Sequence, residues 1–347
     1  MAGNTYMMML MKYFRSFGTI LDCFIAALTF QCTNSRDHIY ALLSLPGSPG
    51  IEPDYTLSAE KIWERFAIKS LVEDQNLKFL ALPSSMARDG SGKLPSWIPA
   101  INGTMQRNPI SSFTIKAQCF QSGGYTTPRI TISANNRRLH LTGRLIDTVK
   151  KTVPGIWERP FPSAEDVLPK TGFLAQVMKY KLLWFQECKE LAANGDWANL
   201  PPAEKRKFYK AMISGMTGLR DPAPQGTVDA LEVYFDHVAD YFNPGYNISD
   251  ENWNTILTHG SIMEHSILAM AIGLRFCTTE GGRFGQTSNE TLPGDRICVV
   301  LGAEIPYVLR PDEGGTFKLV GQCYVDGVMD GEALANDKFE DTEIILV

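Results

Sequence analysis

The hydrophobic period changes repeatedly along this chain, and the order of those changes limits the fold more than any single residue does. Leu10, Phe14, Phe17, Leu21, Phe24, Ile25 and Leu28 recur at steps of three and four, the stripe of an amphipathic helix packed on a core. Ser35 to Pro46 opens polar, turns apolar and ends at proline, which predicts a short buried helix. A further helix starts at Ser58, an N-cap residue, and carries Ile62, Trp63, Phe66, Ala67 and Leu71 on one face as far as Asp74. Beyond Leu94 to Pro99 the pattern turns to strands. Phe113 to Cys119 alternates, and Arg129 to Ile132 and Arg138 to Ile146 flank Asn135-Asn136, a pair that tolerates the positive φ of a tight hairpin. Helical stretches return at Phe173 to Ala193, Ala203 to Gly215 and Val228 to Tyr241, broken by Asn194-Gly195-Asp196, Pro222 and Pro224. From Ile267 the chain is mostly β, with runs at Leu268 to Thr278, Arg296 to Leu301, Tyr307 to Arg310 and Phe317 to Val325. The predicted class is α+β.

Composition excludes several functions. Lys and Arg number 33 against 38 Asp and Glu, a formal charge of −5, so there is no bulk positive field to gather nucleic acid or anionic lipid. The seven cysteines are odd in number and form no C-x-x-C pair, which predicts free, mostly buried thiols in a cytoplasmic protein and neither a disulfide framework nor a zinc site. Lys12 and Arg15 could open a signal peptide, but Asp22 interrupts the apolar run behind them and no small-x-small site follows. The run is also far shorter than the ~20 residues of a membrane span.

Two stretches carry a resemblance. Arg36-Asp37-His38-Ile39-Tyr40-Ala41-Leu42-Leu43-Ser44-Leu45 with Pro53-Asp54-Tyr55 resembles the "RDkIYALLGL … pDY" segment of the fungal heterokaryon-incompatibility (HET) family. Gly294-Asp295, Gly302-Ala303, Pro306, Val308-Leu309-Arg310 and the run from Val320 through Tyr324, Asp326, Gly327, Asp330, Gly331 and Glu332 are similar to its C-terminal "GD … GA … P … LR … lvGeaYvhGiMdGE" signature. Asp326 stands where the family commonly has histidine, and Ser44 where it has glycine. The family usually opens with a TIR-like α/β module carrying a "WvDaiCINQ"-type stretch. Nothing in Met1 to Phe30 resembles that module, so the expectation is a shortened member. Because residues 36–74 and 267–334 resemble one family domain, a helical N-terminal part (1–162, with β-hairpins) and a mostly antiparallel β C-terminal part (263–347) are expected to pack as one composite domain. Residues 163–262 then form a helical insertion. Tyr40 or Leu43 should touch the strands near Val299 or Val320.

The motif residues themselves read as structural. Asp37 would meet the positive end of a helix dipole and Arg36 a carboxylate elsewhere. Asp54 would accept backbone N–H groups, and Tyr55 would bury its ring with its hydroxyl satisfied. Asp326, Asp330 and Glu332 crowd three carboxylates around Gly327 and Gly331, which suits a turn with Asp330 or Glu332 paired to Arg310. Raised carboxylate pKa values for acid–base work are the alternative, and a cation is the third reading, although the spacing is not that of a calcium loop. The glycines Gly281-Gly282-Arg283-Phe284-Gly285 make no nucleotide cradle, and His259 and His265 have no metal-ligand spacing. Lone histidines such as His38 are more often structural.

Two functions follow. One is a non-catalytic interaction or regulatory protein of fungal self/non-self recognition, with a protein partner and no cofactor. The other is a cofactor-free cyclase or isomerase of fungal secondary metabolism, in which Asp326, Asp330, Glu332 and His38 would face a small apolar metabolite.

Overall fold

The computed structural model describes residues 21, 23–24, 32–43, 51–82, 94–99, 120–155, 158, 173–216, 222–240, 249 and 273–347. The predicted strand over Phe113 to Cys119 and most of the first amphipathic stripe lie outside them.

Five α-helices are described: α1 (Asp37–Tyr40), α2 (Ala59–Ile68), α3 (Phe173–Ala193), α4 (Pro202–Met212) and α5 (Gln225–Asp240). The Ser58 side chain accepts from the Lys61 N–H and starts α2, as its residue type predicts. The helix then widens into a π turn over Lys69–Glu73 and stops at Asp74. Ile62, Trp63, Phe66 and Ala67 are buried on its inner face. Phe24 meets Trp63 and Phe66 with ring centroids 5.2 and 4.8 Å apart, so the described end of the first stripe does pack on a core.

Eight strands follow: β1 (Ile130–Ile132), β2 (Leu139–Val153), β3 (Leu274–Thr279), β4 (Phe284–Ser288), β5 (Arg296–Val300), β6 (Tyr307–Pro311), β7 (Phe317–Val325) and β8 (Thr342–Leu346). Their hydrogen-bonded order is β1-β2-β3-β4-β7-β6-β5, and β5 pairs again with β2. Six strands thereby close an antiparallel barrel, which removes the open edges of a sheet. β8 lies antiparallel to β2 and touches β7 in parallel through Phe317 and Leu346. The Asn135-Asn136 hairpin forms as predicted: Asn136 has φ 56°, and Ile130, Thr131 and Ile132 pair with Leu141, His140 and Leu139.

Two compact units make up the chain. The first comprises Met1–Ile146, Asp295–Gln322 and Val328–Val347. Within it, Tyr307 donates its hydroxyl to the Leu77 carbonyl at 2.8 Å. The Leu319 N–H donates to Ser96 Oγ at 2.8 Å, and the Ser96 N–H to the Val347 carbonyl at 2.8 Å. A Cβ on Gly143 would lie 2.8 Å from the Val299 carbonyl oxygen, so β2 passes β5 here at a distance only glycine allows.

The second unit comprises Asp147–Gly294 and Cys323–Gly327. Phe208 of α4 packs edge-on against Phe276 of β3 and Phe284 of β4, at 5.3 and 6.2 Å between centroids. The helices α3, α4 and α5 fall within a few residues of their predicted spans. α4 ends at Met212, before the predicted Gly215, because Ser214 and Gly215 turn left-handed (φ 50° and 65°) and the Gly215 N–H reaches back to the Lys210 carbonyl. Two strands, β4 and β8, were not predicted, and β2 runs on from Ile146 to Val153. All five β4 residues are buried, so it shows no alternation. Its Gly285 lies so close to β7 that a Cβ would stand 2.5 Å from the Tyr324 carbonyl oxygen.

Candidate functional site

The N-terminal motif folds into a self-contained lock. Arg36 Nη1 donates to the carbonyls of Tyr55 (2.7 Å) and Leu57 (2.5 Å), while its Nε donates to Asn34 Oδ1 at 3.0 Å. The carboxylate partner expected for Arg36 is therefore replaced by backbone carbonyls, a match to a planar fork of donors. The Tyr40 hydroxyl donates to the Asp54 carbonyl at 2.9 Å and accepts the Asp54 N–H at 3.0 Å. Asp54 Oδ1 accepts both the N–H and the hydroxyl of Thr56. The Thr56 hydroxyl and then its N–H hold the Asp54 carboxyl below its ordinary pKa. Tyr55 donates to Asp37 Oδ1 at 2.7 Å, which pushes the phenol up because that bond requires its proton. Its hydroxyl is satisfied as expected, but its ring is not buried: Tyr55 is 57% exposed, lying edge-on to Tyr40 and under the Arg36 guanidinium. His38 is buried on α1.

At the C-terminal signature, Arg310 forks onto Asp295, with Nε to Oδ1 and Nη2 to Oδ2 both 2.9 Å. The pairing of Arg310 with Asp330 or Glu332 is thus corrected, and strand register supplies the reason. Arg296 faces Leu309 across β5 and β6, so the next pair outward is Asp295 with Arg310. Glu332 instead turns its carboxylate onto the Asp330 N–H at 2.6 Å. Gly327 and Gly331 have φ 79° and 88°, the left-handed path that the sequence spacing implied. Asp330 and Glu332 belong to the first unit and Asp326 to the second.

Asp326 closes a small polar group in the second unit. Its N–H donates to the Phe284 carbonyl, and its Oδ1 lies 3.4 Å from the Tyr324 hydroxyl and 3.8 Å from Lys210 Nζ. Tyr324 is fully buried and faces Gln286 across β4 and β7. Its ring fills the space beside Gly215, where a Cβ would stand 3.0 Å away. Among the described residues no group of three or more His, Cys, Asp or Glu side chains is placed to hold a metal ion. The cleft of the second unit lined by Phe185, Lys189, Trp197 and Phe235 has none of Asp326, Asp330, Glu332 or His38 in its described wall.

Sequence reasoning missed the buried Asp147. It accepts the Thr279 hydroxyl at 2.7 Å, the Gly281 N–H at 2.9 Å and Arg283 Nη1 at 3.1 Å. A Cβ on Gly281 would run into the Asp147 carboxylate, which explains the glycine that a nucleotide cradle does not. A single aspartate inside a strand gives no local signal of this role. Five of the six described cysteines are buried, in line with the expectation of mostly buried thiols, while Cys119 lies outside the described residues. Burial pushes the Cys277 and Cys298 thiols up to about 12.

The C-terminal strands and the signature residues resemble a β-barrel domain of heterokaryon-incompatibility type. Residues 250–347 match the family described as the Het-6 beta-barrel domain, which bears out the resemblance. Heterokaryon incompatibility protein 6, OR allele, of Neurospora crassa is 25% identical over 374 aligned residues, covering 94% of this chain and 53% of that protein. The chain therefore spans about half the length of the curated relative it matches. No solved structure matches the chain significantly. No helix among the described residues is long and apolar enough to cross a membrane.

Proposed function

We propose that this chain is a scaffold and interaction part of a heterokaryon-incompatibility-type protein, acting without catalysis in fungal self/non-self recognition through a protein partner in the cytoplasm. One observation carries the reading: the side chains of both signature stretches are engaged with neighbouring backbone and with one another. Arg36, Tyr40 and Asp54 bond the two halves of the first motif, and Arg310, Asp295 and Glu332 brace the second. Groups held in this way position backbone and surface loops; a general acid or base needs access to a substrate. The same reading takes residues 1–162 and 263–347 as one composite body carrying 163–262 as an insertion. The bonds from Tyr307 to Leu77 and from Leu319 to Ser96 support it.

The test is genetic and structural together. The gene is placed in a fungal recipient, and growth inhibition is scored when the recipient fuses with tester strains. Asp326→Asn, Asp330→Asn and Glu332→Gln, each checked for an unchanged melting temperature, should leave the response intact. A variant that folds as stably as the parent and yet abolishes the response would sink the non-catalytic reading.

A further inference from the structure

Tyr125 is 93% exposed, more than any other large apolar side chain among the described residues. On a loose loop that would call for no explanation, but this tyrosine stands on a turn of the first unit that is fixed on both sides. Before it, the N–H groups of Gln121, Ser122 and Gly123 donate to the carbonyls of Met329 (2.9 Å), Glu304 (3.1 Å) and Ala303 (2.8 Å). The Gly124 N–H returns to the Gln121 carbonyl at 3.0 Å, and the Gln121 side-chain amide donates to the Gly124 carbonyl. After it, the Thr126 hydroxyl donates to the Gly123 carbonyl at 3.1 Å, and a Cβ on Gly302 would stand 2.5 Å from the Thr126 carbonyl oxygen. The signature segments around Gly302-Ala303 and Met329 thus hold the backbone that carries Tyr125. A side chain presented in this way loses little freedom on binding. The charge beside it has mainly one sign. A Cβ on Gly331 would lie 3.7 Å from the Gln121 carbonyl oxygen, and one on Gly124 would meet Leu334 Cδ1 at 2.7 Å, so the acidic signature turn runs alongside. Asp330 and Glu332 are exposed on that turn, and residues 330–341 hold five carboxylates against one lysine. Arg144, which reaches the same segment, is engaged by Asp341 and by the Ala333 and Leu334 carbonyls.

We infer that Tyr125 anchors a docking surface for an arginine-bearing segment of a protein partner, the guanidinium lying on the Tyr125 ring with Asp330 and Glu332 beside it. The inference rests on the recognition reading above and names the chemistry of its partner. A tyrosine ring attracts a cation over its face, and carboxylates alongside strengthen the selection of positive charge. A guanidinium is planar and less hydrated than an ammonium, so it stacks on the ring at a smaller desolvation cost. One ring and one turn offer far less than the ~800 Å² per partner of a stable domain interface, so the occupant is a short segment.

The test uses the full chain with three short peptides of one length that alternate serine with arginine, lysine or citrulline. Ligand-observed NMR and titration calorimetry at low salt should show saturable binding of the arginine peptide, tighter than the lysine peptide, with the uncharged citrulline peptide weakest. Tyr125→Ala should weaken the arginine peptide about threefold to fivefold, the range of an exposed cation–ring contact, while Tyr125→Phe keeps the affinity because the ring face and not the hydroxyl is used. Asp330→Lys should weaken it too. Glu313→Lys makes the same charge change at the other end of β6 from the Gly302-Ala303 turn and should leave binding unaltered. Each variant is compared at an unchanged melting temperature. An arginine peptide that fails to saturate, or that binds no tighter than the other two, overturns the proposal, as does undiminished binding to a folded Tyr125→Ala variant or an equal loss in Glu313→Lys. None of these results decides whether the chain is catalytic, and the neutral Asp330→Asn of the genetic assay leaves the ring and Glu332 in place, so the two readings fail separately.

Discussion

Gly123 offers the sharpest test of the fold, because a single methyl group placed there has nowhere to go. The residue sits in the turn after Phe120, its N–H donating to the Ala303 carbonyl and its own carbonyl accepting from the Gly302 N–H, both at 2.8 Å. A Cβ would overlap the Val300 carbonyl oxygen and stand 2.5 Å from the Ala303 nitrogen and 2.7 Å from the Gly302 nitrogen. All three atoms are backbone, so no rotamer relieves the clash. The opposing turn is itself pinned by the left-handed Gly302 (φ 81°) and by the Ala303 N–H bonded to Val300. Gly123→Ala must therefore separate the two segments. The loss of two hydrogen bonds at about 1 kcal/mol each, with about 1–3 kcal/mol for overpacking, predicts a destabilisation of about 3–5 kcal/mol. The control is Gly314→Ala in the same unit, where φ is also positive (65°) and nothing lies within 4 Å of the new atom. Only the left-handed backbone cost of about 1–2 kcal/mol applies there. Urea unfolding, with the m-value checked for constancy, measures both. Equal losses at the two positions would refute the close approach and the packing built on it.

Three further outcomes are expected. Arg310→Met should cost about 2–4 kcal/mol, since it removes the forked cation from the buried Asp295 carboxylate while Arg310 itself is partly exposed, and a cycle with Asp295→Asn should give a coupling above about 1 kcal/mol; no coupling would deny the fork. Hydrogen bonds hold Asp54 (from Thr56) and Asp312 (from Lys318) below their ordinary 3.8, and bonds from Asn136 and Lys61 outweigh burial to hold Glu64 below 4.5. Depressed folded values mean their stabilisation is complete above the unfolded values and is lost as pH falls through the folded ones, so the urea midpoint should drop on acidification below about pH 5 and drop less in Glu64→Gln; a midpoint that rises with acid contradicts the shifts. Cys277 and Cys298, pushed up to about 12 by burial, should resist iodoacetamide in the native protein near neutral pH, while all seven cysteines react after denaturation; rapid native labelling of either, read by mass spectrometry, would disprove their burial.

What was legible in the sequence was local. The Ser58 cap, the inner face of α2 and the spans of α3, α4 and α5 follow from capping chemistry and a period near 3.6, both contained in a dozen neighbouring residues. The Asn135-Asn136 hairpin and the left-handed Gly327 and Gly331 are equally local. The losses came where a partner distant in sequence decides. β4 reads Phe-Gly-Gln-Thr-Ser, with no alternation, and is a strand because β3 and β7 flank it on both sides. Arg310 was assigned the carboxylates nearest along the signature, but strand register hands it Asp295. Beside the neighbouring Thr148 N–H, Asp147 takes the Thr279 hydroxyl, the Gly281 N–H and Arg283 from more than 130 positions onward, a relation that no window of sequence contains.

The same distinction bears on where the domain ends. The matched family segment, residues 250–347, supplies β3 to β8, yet the barrel closes only through β2, whose residues 139–153 lie outside it. β2 pairs with β3 through Val149 to Val153, with β8 through Leu139 to Gly143, and with β5. Without it β3 and β5 would each present an unpaired edge, a liability that closed barrels exist to avoid. The segment a family signature picks out is therefore not the segment that folds. The helical stretch from α3 to α5 lies in sequence between β2 and β3, two strands that are neighbours in the sheet. Their adjacency lets a long excursion enter the chain without disturbing strand order, since closing a longer loop costs little extra entropy. A barrel closed in this way keeps its strand order around the helical stretch, while Arg36, Tyr40, Asp295 and Arg310 hold their own local bonds.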